Sequence, residues 1–240
     1  MRFIPIILSA ALCINASLGE EAASHYYKGR TVQSMRVYLN GLKSAIARAD
    51  VKSEVLYLNN IAVLFNTLDE ADSTRTYLDA AQKAARLSEP LTAITDINRA
   101  FLNKQYLAID PRKLKKWEDS LSVYEAADLY IAAGRMELSA QKVDNAENLF
   151  KRAQKLLKKE NKTVTFADAL YYQGMVALSK KEYGKADTPL EEAFEIYRGG
   201  GYTTGLRRVL AALAQSAALN NRAAQAEQYE TLLKRLPLIK

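Results

Sequence analysis

From Tyr130 onward the apolar positions fall at helical spacing, and the pattern then repeats. Stepping by 40 residues aligns Tyr130, Leu170 and Leu210, then Gly134, Gly174 and Ala214, then Glu137, Ala177 and Ala217, then Ala146, Ala186 and Ala226. Small residues thus recur at one phase, where two helices must approach closely. Large positions follow the step less strictly. Phe150 and Leu190 match but Glu230 breaks the column, and Ala153 and Ala193 give way to Leu233, so the last unit is degenerate, as terminal caps are. The clearest unit, residues 170–197, reads as two short amphipathic helices with a turn near Lys181.

Earlier segments carry the same signal more faintly. Leu58, Ile61, Ala62 and Phe65 precede Asp69, and Leu78 and Ala81 follow it; each lies 72 residues before its counterpart in the unit at 127, which leaves room for two units of about 36. The intervening unit would use Ile94, Ile97 and Phe101, then Leu114 and Trp117, with Asp110-Pro111 as N-cap and first helical position. Residues 20–50 hold a clipped first hairpin. There Tyr26 and Tyr27 end a short helix at Gly29, and Met35, Tyr38, Leu42, Ala45, Ile46 and Ala49 stripe a second. Ser122 with Glu125, and Thr165 with Asp168, form capping boxes that place first helices near 123 and 166. Gly199-Gly200-Gly201 and Gly205 supply a helix stop and a flexible connection. No strand precedes these glycines and no Gly-Lys-Ser/Thr follows, so they do not read as a phosphate cradle.

At these residues the chain resembles the tetratricopeptide repeat family, whose unit is a helix, a turn and a second helix. Gly174 holds the small residue of the first helix, Tyr183 the aromatic near the turn, and Ala186 and Ala193 the small residues of the second helix; Gly134, Ala146, Phe150 and Ala153 repeat most of this. The step of 40 is longer than the family's unit of about 34, and Lys158 and Arg198 stand where the family's closing proline would be. The resemblance implies an all-α fold, an α-solenoid of five to six stacked helix-turn-helix hairpins wound as a right-handed superhelix. It also implies a concave groove lined by first helices that takes a protein or peptide. Carried over residue by residue, the groove positions are Asn59, Val63, Asp128, Arg135, Tyr171, Met175, Arg208 and Gln215. Neither Asn59 nor Val63 supplies the lysine of the clamp that some members use for C-terminal carboxylates, which disfavours a chaperone-tail receptor.

The N-terminus changes the picture of where such a scaffold works. After Met1-Arg2 comes an apolar run over residues 3–14, too short to span a bilayer as about 20 residues would. It reads as the core of a signal peptide over residues 1–19, cut after Gly19, with one repeat domain over 20–240. The expected protein is therefore exported, periplasmic or secreted, with no transmembrane span in the mature chain and possible envelope association. Cys13, the only cysteine, sits where a lipoprotein carries its anchor, but Leu12 precedes it where Gly, Ala or Ser is wanted. A packed hydrophobic first helix is the other alternative.

Composition favours helices: 240 residues with only 5 Pro and 10 Gly. The net charge of +7 gathers in Arg112, Lys113, Lys115 and Lys116, and in Lys151, Arg152, Lys155, Lys158, Lys159 and Lys162. Such runs read as solvated second-helix faces or, alternatively, as a patch for an anionic polymer or lipid; nucleic acid is not expected for an exported protein. His25 is the only histidine, which excludes a multi-histidine metal site and leaves a triad one candidate. Glu191 and Glu195 share a helix face but read as solvated carboxylates. A non-enzymatic scaffold with no cofactor or metal is the expectation.

Overall fold

A computed structural model describes residues 16–159 and 163–237, with side chains from residue 21 onward. The apolar run at 3–14, Cys13 and Lys162 lie outside the described residues. The described chain is all-helical, and its helices follow one another as adjacent pairs: α1 (Ala16–Tyr27) and α2 (Thr31–Ala47), α3 (Val51–Thr67) and α4 (Ala71–Ala85), α5 (Glu89–Leu102) and α6 (Pro111–Glu118), α7 (Val123–Ser139) and α8 (Val143–Leu156), α9 (Val164–Ser179) and α10 (Tyr183–Gly199), α11 (Thr203–Leu219) and α12 (Ala223–Arg235). Six helical hairpins result. The predicted cut after Gly19 falls inside α1.

The span read as one repeat domain divides into two compact units, the first holding residues 16–26 and Thr31–Ala132, the second Tyr27–Arg30 and Ala133–Lys240. In the first, α2 packs on α3, α3 on α4 and α4 on α5, with α3 also against α5. Tyr38, Leu56, Tyr57, Ile61, Leu64 and Ile97 are among the large side chains sealed in its core. In the second, α8 to α12 pack each on the next, and α9 also meets α11. The columns of the 40-residue step point inward: Leu170, Leu210, Ala146, Ala186, Phe150 and Leu190 are all buried, whereas Glu230 is exposed.

The repeat is also written in the turns. Residues with side chains take left-handed φ at Asp69 (60°), Lys104 (55°), Gln141 (61°), Lys181 (60°) and Asn221 (57°), so the turn recurs after 35, 37, 40 and 40 residues. After each, an amide reaches back over five residues: Glu70 N to Phe65 O (3.0 Å), Gln105 N to Ala100 O (2.8 Å), Lys142 N to Glu137 O (2.9 Å), Glu182 N to Ala177 O (2.9 Å) and Arg222 N to Ala217 O (2.8 Å). These bonds satisfy carbonyls that the helix end would otherwise orphan. The left-handed residue costs about 1 to 2 kcal/mol in each turn, so the hairpin packing must supply it.

Several expected caps form. Glu125 N donates to Ser122 Oγ at 3.3 Å while Ser122 N donates to the Glu125 carboxylate at 2.5 Å, a reciprocal capping box. Asp110 accepts from Arg112 N at 2.8 Å, with Pro111 opening α6. α10 stops at Gly199, and Gly201 turns with φ of 64°. Three expectations need correction. Thr163, not Thr165, caps α9, accepting from Phe166 N at 3.3 Å, which moves Asp168 past the cap and turns it inward. Gly205 lies inside α11, which starts at Thr203, and not in the connection; the ring of Tyr197 rests where its Cβ would be. In the α2 stripe, Ala49 falls in the turn with φ of 53°, and Ile46 points outward.

Candidate functional site

Asp168 is the centre of a buried polar cluster in the second unit. From α9 its carboxylate accepts the Tyr27 hydroxyl at 2.8 Å on Oδ2, and on Oδ1 both the Tyr197 hydroxyl and an Arg208 guanidinium nitrogen at 2.5 Å. The side chains of Arg208 and Asp168 are 15% and 10% exposed. Three separate stretches converge because each is held by local packing: Gly205 admits the Tyr197 ring beside α11, and Tyr27 meets Tyr202 edge-on at 5.9 Å.

Aromatic faces continue outward from the carboxylate. The Arg208 guanidinium lies 5.1 Å from the Tyr171 ring centroid, Tyr171 meets Tyr172 edge-on at 4.9 Å, Tyr172 stacks on Phe150 at 5.2 Å, and Arg135 covers Tyr172 at 5.2 Å. Cations over ring faces are attracted by the ring quadrupole. One arginine is thus paired by charge and by ring face, the other held over a ring.

Burial, first, pushes all three phenols up. The negative charge of Asp168 adds to this at Tyr27 and Tyr197, while Tyr171, beside Tyr172, is pushed up to about 12. The folded state holds these protons more tightly than the unfolded chain does. Their stabilisation is therefore complete below the ordinary phenol value of about 10 and is lost as pH rises through the folded values. In an alkaline titration, part of the phenolate absorbance should lag past pH about 10 and arrive together with loss of helical circular dichroism. One phenolate wave completed with the helices intact would contradict the cluster.

The eight residues expected to line a groove are distributed unevenly. Asn59, Val63, Asp128, Arg135 and Tyr171 are buried, Met175 and Arg208 are half-buried, and Gln215 is exposed. Asn59 is committed inside the first unit, donating to Val55 O at 2.9 Å and to Thr95 Oγ1 at 3.0 Å, and accepting from Asn98 at 3.0 Å. In the second unit Tyr171, Met175, Arg208 and Gln215 share the neighbouring helices α9 and α11, with Arg208 anchored on Asp168. No protein-family model, curated protein or solved structure matches this chain. The arrangement therefore speaks for itself.

Sequence reasoning spent Asp168 on a cap and passed over Tyr27 and Tyr197. A signal was present: Asp168 and Arg208 occupy one column of the 40-residue step with opposite charge, the spacing of side chains that meet across adjacent repeats. The basic runs are partly neutralised. Lys180 bridges Asp144 and Glu147 at 2.5 Å each, Lys151 also meets Glu147 at 2.5 Å, and Lys113 meets Glu89 at 3.0 Å. The Lys151 and Lys180 hydrogen bonds hold Glu147 below the usual carboxylate range. Glu191 and Glu195 are exposed, and Glu195 pairs with Arg198.

Proposed function

We propose that the chain is a non-enzymatic interaction scaffold, related to tetratricopeptide repeats, exported to the periplasm or envelope, that binds a protein or peptide along the face of α9 and α11. The observation that carries this reading is the pair of half-buried Met175 and exposed Gln215, in one column 40 residues apart on two neighbouring first helices. About two turns earlier on the same helices the Asp168–Arg208 pair ties α9 to α11 beside the tyrosine rings, so the face is preorganised and a ligand spends little energy ordering it. Met175 offers an adaptable apolar contact and Gln215 an amide that can bond to an extended backbone.

Tyr171 belongs to the support and not the contact surface, since it is 7% exposed and lies against Arg208. The test therefore uses the accessible pair. A partner is captured from envelope extract at two salt concentrations, and Met175→Ala with Gln215→Ala should weaken its binding about tenfold or more with helical content unchanged. Lys155→Ala with Lys159→Ala should change affinity less than about threefold, because exposed charges are screened. Dominance of the lysine pair would transfer the function to the basic surface. That second reading rests on Lys155, Lys158 and Lys159, all exposed.

A further inference from the structure

Helix α2 presents an outward face unlike those of its neighbours in the first unit. Its buried arc holds Thr31, Ser34, Tyr38, Gly41, Leu42 and Ala45. Flanking that arc, at helical phase, stand Val32 (66% exposed), the half-buried Leu39 and Ile46 (56% exposed), with exposed Arg36 and Lys43 on their solvent side. By contrast, the exposed positions of α4 are Ala71 and the polar Asp72, Arg75, Thr76, Asp79 and Lys83. No aspartate or glutamate occurs anywhere from residue 22 to residue 49, so nothing on α2 neutralises its two cations.

We propose that this face of α2 is a docking surface for an anionic lipid bilayer, lying in the interface with Val32, Leu39 and Ile46 dipped among the acyl chains and Arg36 and Lys43 on the headgroup charges. An apolar stripe edged by cations, without acids, is the pattern that binds such surfaces. No helix among the described residues is long and apolar enough to cross a membrane, so α2 lies on the bilayer and does not span it. A second copy of the chain fits the face less well. Antiparallel pairing of two α2 helices would set Arg36 of one against Lys43 of the other, and flanking charges decide helix partners. The inference is independent of the α9 and α11 face and stands or falls without it.

The full chain is sedimented with vesicles of phosphatidylcholine alone or with about 30% phosphatidylglycerol, at about 50 and about 300 mM salt. The ratio of the two partition constants is the readout, because the apolar contribution of residues 3–14 enters both vesicle types, while that of Arg2 is common to the chain and both double variants. The expected result is a preference of about tenfold or more for anionic vesicles, falling steeply with salt. Arg36→Glu with Lys43→Glu should remove most of the preference, the remainder belonging to the basic runs elsewhere on the chain. Val32→Asp with Ile46→Asp should lower anionic binding about tenfold, with circular dichroism unchanged because both side chains are already exposed. Equal partition into the two vesicle types overturns the proposal, as does an anionic preference that both double variants retain in full. A dimer in sedimentation velocity that Val32→Asp with Ile46→Asp splits into monomers also overturns it, by assigning the face to a second copy.

Discussion

Replacing Asp168 by alanine should cost about 3 kcal/mol in urea unfolding, the lower end of the range for breaking a buried ion pair from one side, because Arg208 keeps 15% side-chain exposure. The loss has two parts. The guanidinium is left without its carboxylate in a ring-lined setting, and the Tyr27 and Tyr197 hydroxyls lose their acceptor. Leaving a buried polar group unsatisfied is the expensive half of a hydrogen bond. The double variant Asp168→Ala with Arg208→Met should recover part of the loss, since methionine fills the volume without carrying a charge. A single-variant loss below about 1 kcal/mol, or full additivity in the double, would mean that the cluster is incidental to stability.

Gly174→Leu carries the second large effect. A Cβ at Gly174 would overlap the Leu190 side chain across the α9–α10 contact, so the new side chain has nowhere to go without parting the two helices. Overpacking of this kind costs about 1 to 3 kcal/mol. Leucine is the better helix former by about 0.8 to 1 kcal/mol, which opposes the loss without cancelling it. Melting temperature decides: an unchanged or raised value would mean that α9 and α10 do not approach at this point.

The register around Gly174 was readable because packing against Leu190 demands a small residue at a fixed phase, and the 40-residue step shows that phase three times, at Gly134, Gly174 and Ala214. The hairpins were readable for the same reason. Local chemistry was readable where one residue type has one use, as with Asp110 before Pro111 or Ser122 three residues before Glu125. The cluster was harder. Thr165 and Asp168 have the spacing of a capping box, and only the earlier start of α9, set by Thr163, releases Asp168 for tertiary use. Tyr27 gives no local sign of its partner at all. The groove positions were carried over from the family's frame, which says nothing of what covers each residue in this chain; Asn59 and Tyr171 are buried.

The bond from Tyr27 to Asp168 joins residues 141 apart in sequence. The other hydrogen bonds of the cluster join residues 40 or fewer apart, and contacts over shorter separations form faster because less chain must be closed to make them. This one closes a long loop, and loop closure is a cost that must be met before the contact returns anything. Its acceptor also has to be in place first, with α9, α10 and α11 already side by side. Loop closure thus predicts an order for the second unit, in which the hairpins zip up along the chain and Tyr27 locks in last, so Tyr27→Phe should speed unfolding and leave the folding rate nearly unchanged in stopped-flow measurements. The same order run backwards makes Tyr27 the first long-range contact to open.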